Sequence, residues 1–198
     1  MGGWLDSGAP RAPRAWLRVV RILALLAALP ALGGWGAVTG THVDEQYYPI
    51  SGRSFAELVS SIRQHGPMGG YGRGIIDFHP RFETHSEKGL CRVVGADTGL
   101  TISLSLPAWR GPDNAPGHVL RRARHFERAI RAHELQHVEI AKRHQRLMTA
   151  SLARLKPEAS CWNVRARAND LIVALKRQHL AAQRGFDRRS FRQISRLL

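Results

Sequence analysis

From His118 to Lys156 the chain contains neither Gly nor Pro, and Phe126, Ile130, His133, His137, Ile140, Ala141, His144, Met148, Leu152 and Leu155 recur at helical spacing. That spacing sets them along one stripe of a long α-helix facing a core. Pro157 interrupts it. Val164, Ala168, Leu171, Leu175 and Ala182 mark a second amphipathic helix from Cys161 to Gln183, which Gly185 can terminate.

Ahead of the helices the pattern changes period. Leu100, Ile102, Leu104 and Leu106 alternate with polar residues, as a half-buried strand requires, and Pro107 is expected to end it. Ile75-Ile76-Asp77-Phe78-His79 and Cys91-Arg92-Val93-Val94 read as further strands, and Tyr47 to Gly52 as an extended entry segment. Ser54-Phe55-Ala56-Glu57 has the spacing of a capping box, which predicts a short helix to about Gln64 before Gly66-Pro67. The expected fold class is α+β: a small antiparallel sheet with a short N-terminal helix, followed by two long antiparallel helices.

The first 37 residues follow a different rule. Arg11, Arg14, Arg18 and Arg21 precede an apolar run from Ile22 to Leu32, and the small residues Gly33, Gly34, Gly36 and Ala37 come next. Basic, apolar and then small is the order of a secretory signal. The uncharged stretch to Val43 approaches the ~20 residues of a spanning helix. Residues 1–37 are therefore expected to be a signal peptide or a retained N-terminal anchor, and 38–198 a single domain that is exported, periplasmic or secreted. In such a compartment the only two cysteines, Cys91 and Cys161, can form one disulfide.

Composition adds a charge. Lys and Arg outnumber Asp and Glu by 30 to 15 over the 198 residues. Beyond residue 37 the balance is 26 against 14, a net +12. This favours an anionic envelope surface as a partner. No Arg run is interleaved with aromatics in the manner of a single-strand binder, so a specific nucleic-acid role is not expected.

The candidate chemistry lies on the long helix, in His133-Glu134-Leu135-Gln136-His137. Histidines four apart stand one turn above each other and can direct ring nitrogens at one ion. Glu134, one step round, can reach a metal-activated water as a general base without being a ligand. Two histidines and a further ligand make one zinc ion the expected cofactor. His144 shares the stripe, but seven residues is roughly 10 Å of helix, too far to share the ion.

Here the chain resembles a known family, the predicted secreted zinc-dependent proteases of bacteria, grouped as a domain of unknown function. The resemblance runs from about Tyr47 to about Asp187. It rests on Tyr48-Pro49-Ile50-Ser51-Gly52, Phe55-Ala56-Glu57-Leu58, Gly66-Pro67, Cys91-Arg92-Val93, Leu106-Pro107-Ala108-Trp109, His133 to Ile140, and Cys161. It implies a zinc-dependent peptidase acting outside the cytoplasm on a peptide or protein substrate.

A third ligand has two candidates, Asp187, which is preferred, and His179 as the alternative. Folding the two helices back around Pro157 brings His179 level with His137. Alternatively, Gly185 lets the chain leave the helix and Asp187 swing back to the metal, and the resemblance implies an aromatic-Asp pair near this end. The His-Gly that usually follows that pair is replaced by Arg188-Arg189. Two other readings therefore stand beside the metallopeptidase: a catalytically inactive zincin-like envelope protein that binds anionic partners through its basic surface, and an amidase acting on cell-wall cross-links.

Overall fold

The computed structural model describes residues 40–67 and 70–197, and the expected signal or anchor at 1–37 lies outside the described residues. In chain order the elements are β1 (Thr41–Ile50), α1 (Phe55–His65), β2 (Arg73–Glu87), β3 (Leu90–Trp109), α2 (Gly117–Ala153) and α3 (Cys161–Ser195). The architecture is α+β, with one three-stranded sheet ordered β1-β3-β2.

The sheet differs from expectation in direction. β2 pairs antiparallel with β3, but β1 pairs parallel, from Thr41 opposite Leu100 to Ile50 opposite Trp109. The chain reaches the sheet's other edge through α1 and the glycine-rich segment after it, and a connection of that length allows a parallel return. The two strands expected near Cys91 and Leu100 are one continuous β3, joined tightly to β2 through Lys88 and Gly89, both at positive φ (51° and 77°). Two successive left-handed residues are what a two-residue hairpin turn demands. Pro107 does not end the strand. β2 pairs with β3 only as far as Ser105, so at Pro107 the strand keeps a single neighbour, β1. A missing N–H is tolerable where one side of the strand is unpaired.

Leu100, Ile102, Leu104 and Leu106 are buried as the alternation requires, against Phe126, Ile130, Val138 and Met148 of α2. α1 begins at the predicted cap: Ser54 Oγ accepts from the Glu57 N–H, and the Glu57 carboxylate accepts from Arg53 N–H. α3 runs antiparallel to α2, since His144 meets His179 while His137 meets Gln183 and His133 meets Asp187. It does not stop at Gly185. An interior glycine costs only about 1 kcal/mol, and the helix continues to Ser195.

The segment between α2 and α3 is tied to the sheet. Cys91 and Glu158 exchange backbone hydrogen bonds of 2.7 and 2.9 Å. Beside them Cys91 and Cys161 are joined in a disulfide. Among the described residues, no helix is long and apolar enough to cross a membrane.

Candidate metal centre

The buried stripe of α2 is Phe126, Ile130, Glu134, Val138 and Ala141. Glu134, rather than the two histidines, occupies the row that faces the sheet. His133 and His137 are one step round the helix, turned toward α3, with side chains 14% and 12% exposed. The helical repeat thus divides the motif between two neighbours: the carboxylate goes to the sheet side and the imidazoles to the partner helix.

From α3, Asp187 brings its Oδ1 to 2.9 Å from His137 Nε2 and 3.4 Å from His133 Nε2, and the two Nε2 atoms lie 3.2 Å apart. Two ring nitrogens and a carboxylate oxygen brought this close can share a proton in hydrogen bonds or turn their lone pairs on one ion. Ligands at ~2.0–2.1 Å in tetrahedral array stand about 3.3 Å from one another. The three atoms form a triangle of that size, so His133, His137 and Asp187 fit one metal ion. His179, the other candidate, is outside this cluster. It stands level with His144, their ring centroids 5.3 Å apart, about two turns of α3 short of Asp187. Counting from Pro157 misplaced the fold-back, because α3 starts only at Cys161, where the disulfide fixes it.

Asp187 reaches the cluster from within α3, without the swing out of the helix that Gly185 was expected to permit. Its neighbour Phe186 stacks on His133 (centroids 4.8 Å, 28° between planes) and meets His137 edge-on at 4.9 Å. The aromatic residue walls the imidazoles on one side and restricts their rotation.

Residues 45–193 match a family described as bacterial protein of unknown function (DUF922). The chain belongs to that family. Neither a curated protein nor a solved structure matches it. The span shared with DUF922 runs from within β1 to the last turns of α3, so it contains the donor triangle, Glu134 and both cysteines.

In this DUF922 domain the triangle opens on a cleft of about 580 Å³ between the start of β2 and the second half of α3. Glu134 and Gly72 line it together with the three donors. Burial pushes the Glu134 carboxyl up to about 7, a rise that His137 opposes and Asp187 reinforces. A carboxyl so placed exchanges a proton near neutral pH. Burial, with His137 adding to it, holds His133 below the ordinary histidine range, so its ring nitrogen stays available as a ligand.

Several contributors were not foreseen from sequence. Tyr48 donates its hydroxyl to the Tyr71 carbonyl at 2.6 Å, and Tyr71 packs edge-on against Phe126, so the segment preceding β2 is held over Glu134. Burial raises the Tyr48 phenol well above its ordinary value, keeping it a donor. Gln183, four residues from both His179 and Asp187, was hidden because the second helix was expected to end there. His79 bonds Thr101 on the far face of the sheet and takes no part in the site.

Proposed function

We propose that this DUF922 protein is an exported zinc-dependent hydrolase of peptide bonds. The observation that carries the reading is the convergence of two imidazole nitrogens and one carboxylate oxygen at the spacing of a tetrahedral ion, beside a buried glutamate on the same cleft. Two histidines with a carboxylate are a donor set suited to catalytic zinc, leaving a fourth position open. Bound there, zinc would supply a Lewis acid that activates water and polarises a carbonyl.

The chain's own residues do the rest. His133 and His137 offer Nε2 lone pairs, and Asp187 offers Oδ1. Glu134 takes the proton of the attacking water and returns it to the departing amine nitrogen, two transfers that need a carboxyl exchanging near neutrality. The lack of a side chain at Gly72 lets the cleft wall lie directly against that carboxyl. Export is supported by the Cys91–Cys161 disulfide, a bond that persists in oxidising compartments.

The test is direct. Strip the metal, restore one equivalent of zinc, and assay casein and cell-envelope peptides with the wild type and Glu134→Gln. The variant is expected to keep its zinc and to lose activity by about 10²–10⁴-fold. Equal activity of the two proteins would rule the mechanism out.

A further inference from the structure

Gln183 sits on α3 midway between His179 and Asp187, one turn from each, and is 9% exposed. Its side-chain amide makes three contacts. Nε2 donates to the His137 backbone carbonyl at 3.1 Å and lies 2.7 Å from His179 Nε2, while Oε1 lies 2.5 Å from His137 Nδ1.

These contacts settle which way the amide faces. A backbone carbonyl can only accept, so the group beside His137 O must be the NH₂. A flipped amide would set its oxygen against that carbonyl and its NH₂ against the ring. The second N–H is taken by the buried His179, whose Nε2 must accept because an amide NH₂ can only donate. Oε1 is left facing His137 Nδ1, and an amide oxygen has no proton to give. Nδ1 must carry the hydrogen. In the neutral ring the remaining nitrogen, Nε2, is then an unprotonated lone pair, and it is the atom that meets His133 Nε2 and Asp187 Oδ1.

We propose that Gln183 is a positioning residue that fixes His137 as its Nδ1–H tautomer and so keeps Nε2 bare toward the donor triangle. The proposal rests on the metal-site reading for its purpose, though not for its geometry. Metal-bound histidines are held in the right tautomer by an acceptor on their other nitrogen, and loss of such an acceptor typically weakens metal binding 10–100-fold. A neutral amide does this without adding a third carboxylate to a pocket that already holds Glu134 and Asp187. The i, i+4, i+8 spacing of His179, Gln183 and Asp187 explains how one face of one helix supplies ligand and orienter together.

The experiment separates the proposal from the reading beneath it. In metal-free protein, proton–nitrogen correlation spectra of the imidazoles report which nitrogen of His137 is protonated. The wild type is expected to show Nδ1–H at neutral pH, Gln183→Leu to lose that preference, and Gln183→Glu, which keeps an acceptor on Nδ1, to retain it. Cobalt titration is then expected to show about 10–100-fold weaker binding by Gln183→Leu, with circular dichroism checking that the helices persist. An Nε2–H His137 in the wild type, or an unchanged tautomer and unchanged cobalt affinity in Gln183→Leu, would overturn the proposal. Failure of the wild type to bind cobalt would instead count against the metal site itself, since the tautomer is measured without metal.

Discussion

Gly72 is where a single atom decides whether the cleft wall can lie against the buried Glu134 carboxyl. A Cβ there would stand 2.5 Å from Glu134 Oε1 and 2.8 Å from Ile130 Cγ2. Neither neighbour can easily retreat, because Ile130 is packed in the core and Glu134 is buried beside it. Gly72→Ala is expected to lose about 1–3 kcal/mol of stability, the usual cost of overpacking, as read by urea unfolding; an unchanged midpoint would mean the segment lifts away freely. Phe186 acts on the imidazoles from the opposite direction. Phe186→Ala is expected to weaken zinc binding by about tenfold, at the low end for groups that orient ligands, with Phe186→Leu retaining more. Competition with a chelator measures both.

At the scale of elements, the decisive feature is how far α3 slides along α2. The donor triangle forms only when Asp187 is level with His133 and His137, and a slip of one turn would bring residue 183 or 191 there instead. The backbone bridge between Cys91 and Glu158 and the disulfide at Cys161 set that level from the bottom of the helix pair. The disulfide closes a loop of 70 residues, for which chain entropy gives about 4 kcal/mol. Replacing both cysteines by serine is expected to cost about 2–4 kcal/mol in chemical denaturation and to weaken metal binding as well. A loss of stability with metal affinity intact would show that packing alone sets the register.

At the scale of the whole molecule, the buried site leaves a mark on stability against pH. In the metal-free protein burial lifts Glu134 from 4.5 to about 7. Over that window the folded state holds a proton that the unfolded chain has lost, so this group lowers stability as pH rises. Burial, reinforced by His144 and His137, lowers His179 from 6.5 to about 4. There the unfolded chain holds the extra proton, so stability rises with pH, and His133, also lowered, acts in the same sense. The glutamate and His179 each carry at most about 3 kcal/mol at 1.36 kcal/mol per unit. Wild type is therefore expected to show a shallow profile between pH 4.5 and 6.5. Glu134→Gln removes the opposing carboxyl and should steepen the rise with pH, measured by urea unfolding in chelator. Parallel profiles for the two proteins would contradict this assignment.

Much of the arrangement was written in local periodicity. The alternation of Leu100 to Leu106, the capping box at Ser54 and the helical periodicity of α2, free of Gly and Pro from His118 on, each report a short-range rule of burial or backbone satisfaction, so they could be read residue by residue. The same holds for His133 and His137, whose adjacency is a property of the helix itself, and for the pairing of Cys91 with Cys161, where no other cysteine competes. Asp187 was preferred to His179 only through the aromatic-Asp pair of the family resemblance; periodicity could not place it, because its level depends on where α3 starts along α2, and that is set by a contact with Cys91, remote in sequence. The direction of β1, the survival of β3 through Pro107 and the passage of α3 through Gly185 were decided in the same way. In each case a neighbour from elsewhere in the chain either leaves unused the hydrogen bond that a proline lacks or supplies packing that outweighs a weak local preference. Sequence placed the two histidines and their glutamate on one helix. Tertiary structure turned the glutamate to the sheet and the imidazoles to α3, and selected the residues that meet them there.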